Sequence, residues 1–179
     1  GNYSEEDNPN PLNYYGELKL QIEKYLKYEY KNYCIVRTGW NVGLSQKSRC
    51  VIQLTYETLI KPSAKMAKDN FFSLASTEDT AEVISNLMEN HSTKIIHVCS
   101  DKVISRVQLA DMIMQNSLKS KEMQYDECLF ENIVYDEPRG RVNNLNNSLS
   151  KKIFNTKYKS VENIILDKIA YIDKMNLNG

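Results

Sequence analysis

The chain reads Asn13-Tyr14-Tyr15-Gly16-Glu17-Leu18-Lys19-Leu20-Gln21-Ile22-Glu23 and, shortly after, Tyr33-Cys34-Ile35-Val36-Arg37-Thr38-Gly39-Trp40-Asn41-Val42-Gly43. The first stretch predicts a helix from about Tyr14 to Tyr30, with Asn13 as N-cap and Pro9 and Pro11 ending what precedes it. The second is an apolar run of strand length, Tyr33–Thr38, closed by a turn from Gly39 to Gly43. Helix, strand and glycine-bearing turn in succession indicate an α/β protein.

Tyr15 and Lys19 stand four residues apart, so on a helix they share one face, one turn apart. A phenol alone is a weak acid, with a pKa of roughly 10. An ammonium beside a phenol favours the phenolate, which lets the pair exchange a proton with a sugar or alcohol oxygen. With 12 Tyr and 18 Lys in 179 residues, about one such spacing arises by chance, so the surroundings carry the weight. At about 100° per residue, Lys19, Ile22 and Leu26 all fall within about 40° of Tyr15. Lys19 is thus expected inside an apolar arc, where an unpaired ammonium is costly.

Working outward, the pattern predicts a helix over about Lys47–Ile60, stopped by Lys61-Pro62. A short strand and a turn around Asp69-Asn70 follow within Lys65–Leu74. A helix over Thr77–Glu89, capped by Ser76 or Thr77, leads to a strand at Lys94–Val98. Ser105-x-x-Gln108 is a capping box opening a helix to about Asn116. Leu118–Glu127 reads as a loop running into a strand near Leu129–Val134. Pro138–Asn147 looks irregular, and Ser160 caps a last amphipathic helix carrying Val161, Ile164, Ile165, Lys168, Ile169 and Ile172 at helical spacing.

Composition narrows the function. The 23 basic and 23 acidic residues balance, which argues against a nucleic-acid binder. No apolar run approaches the ~18 residues of a membrane span, and no signal-peptide pattern opens the chain. The four cysteines, Cys34, Cys50, Cys99 and Cys128, form no Cys-x-x-Cys pair. Cys34 reads as a small buried strand residue. With only His91 and His97 available, no metal site is expected, and His97 reads as a packed strand residue. A reducing, cytoplasmic setting is expected.

The block Tyr3-Ser4-Glu5, then Pro9-Asn10-Pro11-Leu12-Asn13-Tyr14-Tyr15-Gly16-Glu17-Leu18-Lys19 through Glu23, and the strand ending in Arg37 before Thr38-Gly39-Trp40 resemble the extended short-chain dehydrogenase/reductases that act on nucleotide sugars. Arg37-Thr38-Gly39-Trp40 is closer to the dTDP-4-dehydrorhamnose reductase branch than to epimerases and dehydratases. The resemblance continues through Phe72–Ala81, Ile95–Val98 with Ile104–Ala110, and Arg139 with Leu145. Alanine and glycine replace two of the family's prolines in these segments. The family's opening Gly-x-x-Gly-x-x-Gly turn, which holds the cofactor pyrophosphate, is missing from the six glycines present.

The resemblance implies the C-terminal portion of a Rossmann-like NAD(P)-binding fold plus a small α/β substrate-binding lobe, without the N-terminal glycine-rich half. Residues 1–43 and 75–99 would be the remainder of the dinucleotide-binding domain, 44–74 and 100–147 the substrate lobe, and 148–179 C-terminal helices. It implies Tyr15 as general acid and Lys19 as its partner, the latter also bonding the nicotinamide ribose, with Thr38 on the cofactor side. Trp40, at a strand end where α/β sheets meet ligands, either covers a sugar ring or packs the core. Asn41 offers a hydrogen bond from the same loop. Arg139 and Arg141 are either forks for diphosphate oxygens or solvated loop residues. Glu23 is expected to pair with Lys19 or Lys27.

The expected activity is NAD(P)H-dependent reduction of a 4-keto nucleotide sugar, with the NAD or NADP site incomplete in this chain. The missing N-terminal half would be a partner, and homodimerisation is left open. The 179 residues alone are expected to be inactive. A nucleotide-sugar epimerase or dehydratase, or a non-catalytic regulatory homologue, are the alternatives.

Overall fold

In a computed structural model, the structure describes residues 1–45, 49–89 and 95–177. Among the described residues, six α-helices and eight strands follow one another: α1 (Tyr14–Glu29), β1 (Ile35–Thr38), β2 (Trp40–Val42), α2 (Val51–Leu59), β3 (Lys65–Ala67), β4 (Phe71–Ser76), α3 (Thr77–Glu89), β5 (Ile95–Val98), β6 (Val103–Ser105), α4 (Arg106–Asn116), β7 (Asp126–Cys128), β8 (Val142–Asn143), α5 (Ser148–Phe154) and α6 (Val161–Leu177). The predicted starts at Lys47 and Lys94, and His91, lie outside the described residues.

The described strands form three small sheets. β1 pairs in parallel with β5, Ile35 opposite Ile95. β4 lies at the centre of the second sheet, parallel to β2 and β8 and antiparallel to β6. β3 pairs in parallel with β7. α2, α4 and α6 cover the second sheet with a core of Ile52, Leu59, Phe72, Leu74, Leu109, Ile113, Ile165 and Ile169. A smaller cluster, Val83, Leu87, Ile96, Val98 and Tyr158, joins α3 to β5. Within the core, the Tyr56 hydroxyl donates to Asp173 Oδ1 (2.6 Å), and the Leu118 N–H donates to Asp173 Oδ2 (2.8 Å), so this buried carboxylate is satisfied.

The caps match the sequence. Asn13 Oδ1 accepts from the Gly16 N–H (2.9 Å), Ser76 Oγ from Asp79 (3.0 Å) and Ser160 Oγ from Asn163 (3.2 Å). Both halves of the Ser105/Gln108 capping box form. Lys168, on the apolar face of α6, is fully buried. Its ammonium donates to the carbonyls of Gly43 (3.1 Å) and Ser45 (3.2 Å) and lies 5.1 Å from the Tyr171 ring centre.

The expected turn from Gly39 to Gly43 is instead strand over Trp40–Val42, because β4 offers it a parallel partner. Four further expectations are corrected. The strand near Leu129–Val134 is instead a single 3₁₀ turn at Phe130–Asn132, and the strand precedes it at β7. Cys34 is exposed, because it precedes the paired part of β1. The arc of Tyr15, Lys19 and Ile22 does not face the sheet. No residue of α1 is buried and Ile22 is 54% exposed, while Gly16, Leu20, Glu23 and Leu26 are the half-covered positions. The reason is the fourth correction: Glu23 pairs with neither Lys19 nor Lys27 but with Arg37 of β1. Arg37 Nε and Nη2 donate to its two carboxylate oxygens at 2.8 and 2.7 Å. That fork turns the Glu23 side of the helix inward.

Candidate active site

After Thr38 the chain leaves one sheet, and at Trp40 it enters the other. Gly39 makes the crossing. Its N–H donates to the Val98 carbonyl (2.9 Å), and a Cβ there would stand 2.7 Å from the Ser73 carbonyl oxygen. Only glycine lets β4 approach this closely. The Thr38 hydroxyl accepts from Asn41 Nδ2 (2.9 Å), and Asn41 Oδ1 accepts from the Thr80 hydroxyl (3.2 Å). A cavity of about 710 Å³ opens beside this crossing. Tyr15, Thr38, Trp40, Asn41, Arg106 and Arg139 all line it.

Tyr15 and Lys19 lie together, with the ammonium 5.4 Å from the centre of the phenol ring. Both side chains are exposed, Tyr15 at 67%. Tyr15 faces the 710 Å³ cavity. Lys19 faces an adjoining groove of about 420 Å³ with Glu23, Arg37 and His97. Asn13, Gly140 and Asn143 line both spaces, so the pair straddles a shared rim. The Arg37 fork holds the Glu23 carboxyl below its ordinary range and raises the guanidinium in turn. His97 is fully buried, as expected of a packed strand residue. Its Nδ1 lies 3.1 Å from the Tyr3 carbonyl, an acceptor only, so the proton sits on Nδ1. Burial lowers its pKa.

Trp40 lies on Phe72, ring centres 5.5 Å apart. Its packing is thus both core and cavity wall. Arg139 reaches the cavity, its guanidinium 5.0 Å from the Tyr135 ring centre. Arg141 does not line it. Its guanidinium instead lies 3.6 Å from the Asp69 carboxylate, which satisfies the charge locally. The arginine that sequence reasoning passed over is Arg106, stacked 4.9 Å from the centre of Trp40 and 5.2 Å from that of Phe72. Burial lowers its pKa, with Arg139 adding in the same direction. A signal was present: Arg106 opens α4 directly after its cap, where the helix dipole disfavours a cation.

The described residues thus form an α/β unit of three small sheets, with a tyrosine–lysine pair on the rim of its cavity. The model of the RmlD substrate binding domain matches residues 1–172, and the chain belongs to that family. No curated protein matches the chain significantly. Among solved structures, a dTDP-4-dehydrorhamnose reductase from Clostridium acetobutylicum superposes with a TM-score of 0.82 at 20% identity, over 98% of this chain and 60% of that one. One from Bacillus anthracis, in complex with NADP, gives 0.79 at 19%, over 94% and 58%. A hypothetical dTDP-4-dehydrorhamnose reductase from Sulfolobus tokodaii gives 0.70 at 29%, over 92% and 57%. The chain therefore spans about 60% of the length of these relatives.

Proposed function

We propose that this chain is the acid-bearing, substrate-binding part of an NAD(P)H-dependent reductase of 4-keto nucleotide sugars, of the dTDP-4-dehydrorhamnose reductase type. The observation that carries this reading is one cavity shared by the Tyr15 phenol, the Thr38–Asn41 loop, Arg106 and Arg139, neither arginine having an ion-pair partner among the described residues. Residues 1–43 and 75–99 form the cofactor side, 44–74 and 100–147 the substrate lobe, and 148–179 the C-terminal helices.

The residues present fit one end of a nicotinamide dinucleotide. The Tyr15 phenol and the Thr38 hydroxyl line one cavity beside the carboxyl end of β1, where α/β sheets receive ligands, and the Lys19 ammonium stands over the Tyr15 ring from the adjoining groove. They include no glycine-rich turn for a pyrophosphate. When bound, the cofactor supplies the hydride. Tyr15 gives its proton to the oxygen of the reduced carbonyl, and the adjacent Lys19 ammonium stabilises the phenolate left behind. Trp40 covers one face of the substrate, and Asn41 orients it by hydrogen bonding. The remaining groups, including a carbonyl-polarising hydroxyl, come from the companion N-terminal half.

The test is Tyr15→Phe in the full-length protein, assayed with NADPH and a dTDP-4-dehydro-6-deoxyhexose. The expected loss in kcat/KM is at least about 100-fold, with dTDP binding retained. Turnover within twofold of wild type sinks the assignment. The exposure of Tyr15 and Lys19 is what favours the rival reading, a non-catalytic regulatory homologue; there, Y15F would leave partner binding intact and wild type itself would show no turnover. The 179-residue chain alone is expected to be inactive.

A further inference from the structure

Asn13 uses both ends of its side chain. Oδ1 accepts from the Gly16 N–H (2.9 Å) and caps α1. Nδ2 donates to the Pro138 carbonyl (3.0 Å), 125 residues away. The main-chain carbonyl of Asn13 also accepts, from the Glu17 N–H (3.0 Å). An N–H donates and a carbonyl accepts, so both side-chain bonds form in one orientation of the amide and neither survives its flip. One planar group therefore joins the start of the helix that carries Tyr15 to the chain between β7 and β8. Gly16 keeps room for it: a Cβ there would stand 3.4 Å from Asn13 Oδ1 and 3.1 Å from Pro11 Cβ.

The stretch it reaches has little else to hold it. Tyr135, Glu137 and Gly140 line the same 710 Å³ cavity as Tyr15, yet Val134 and residues 136–139 are exposed. The chain is anchored ahead of this stretch, where the Phe130 N–H donates to Asp69 Oδ1 (2.7 Å). It is anchored again beyond it, where the Phe71 N–H donates to the Arg141 carbonyl (2.9 Å) and β8 pairs with β4. In between, among the described residues, Asn13 makes the one hydrogen bond that reaches 134–140 from another part of the fold; Asn143 Nδ2 donating to the Gly140 carbonyl closes only a local turn. We infer that Asn13 is a positioning residue, which sets the Tyr135–Gly140 wall against the N-terminus of α1 and so fixes the width of the cavity at the Tyr15 phenol. This rests on Tyr15 as the acid. Cap and tether are then separate duties of one side chain. The cap holds the turn that presents the phenol, and the tether holds the wall against which a substrate is seated. Loss of the tether alone leaves the proton donor in place and loosens the seat.

Substitution separates the two duties. Aspartate caps a helix as well as asparagine does and suits the helix dipole, but it has no N–H and turns a carboxylate oxygen toward the Pro138 carbonyl. Alanine removes cap and tether together. The full-length protein is assayed with NADPH and a dTDP-4-dehydro-6-deoxyhexose. Asn13→Asp is expected to raise KM at least about fivefold, the worth of one hydrogen bond, with kcat within about twofold of wild type. Asn13→Ala is expected to raise KM and to lower kcat as well. Asn13→Ser, a cap too short to reach Pro138, should follow N13D. Amide exchange read by mass spectrometry needs no turnover: 134–140 should exchange at least about fivefold faster in N13D with 14–19 unchanged, and both should accelerate in N13A. A KM for N13D within about twofold of wild type overturns the inference, and so does equal exchange over 134–140 in N13D and wild type. N13D speeding exchange over 14–19 as much as N13A does also overturns it, because cap and tether would then be inseparable. Should wild type show no turnover, it is the reading of Tyr15 that fails, and the exchange result alone decides on the tether.

Discussion

Replacing Glu23 by Gln tests what holds the candidate acid in place. α1 carries Tyr15 and Lys19 yet buries none of its residues, and an isolated helix of this length is marginal in water. Its firmest attachment is the fork from Arg37, at 2.8 and 2.7 Å, with side chains only 22% and 15% exposed. Such a pair lies between a surface ion pair, worth about 0–1 kcal/mol, and a buried one, whose breakage costs about 3–5. About 2 kcal/mol is therefore expected for E23Q, or roughly 4–8 °C in Tm for a chain of this size. Because Arg37 holds the carboxyl below its ordinary range, the contribution is complete above about pH 4.5 and is lost as the pH falls through the lower folded-state value. The E23Q penalty should accordingly shrink in acid. Urea unfolding of wild type, E23Q, R37M and the double variant, at pH 7 and pH 3.5, measures both effects. Amide exchange in α1 should accelerate ahead of the core in E23Q. A coupling energy under about 0.5 kcal/mol at pH 7, or a penalty that does not change with pH, would refute the reasoning.

Gly39→Ala forces a Cβ to within 2.7 Å of the Ser73 carbonyl. A loss of about 2–3 kcal/mol is expected, together with a shifted Trp40 emission; an unaltered Tm and spectrum would contradict the close approach of β4. Thiol labelling of the native protein should begin at the exposed Cys34. Cys99, buried and pushed up to about 11, should react only after unfolding. Early modification of Cys99, mapped by mass spectrometry, would count against its environment.

The parts of the fold written in local chemistry were legible. Asn13, Ser76, Ser105 and Ser160 cap helices as their positions suggest, and the apolar runs at Ile35–Thr38 and Ile95–Val98 become the parallel pair. What was not legible depends on distant partners. β7 and β8 are three- and two-residue pairings made by β3 and β4, too short to leave a period. The face of α1 was misjudged because Arg37, fourteen residues away in sequence, outweighs a strip of tyrosines and aliphatics. At the candidate site, the Tyr15–Lys19 pair and Trp40 could be read from spacing and neighbours. The division of labour among arginines could not, because it turns on Asp69 lying beside Arg141 and on Arg106 having no ion-pair partner among the described residues.

Lys168 sits in the final helix, yet its ammonium clips the carbonyls of Gly43 and Ser45, just beyond the Trp40–Val42 strand that flanks the cavity. The tail of the molecule thereby acts as a remote latch on the threshold of its own binding chamber. Shortening the chain ahead of that one lysine would unfasten two backbone oxygens far away in sequence, so a truncation that looks harmless on paper would be felt where ligand is received.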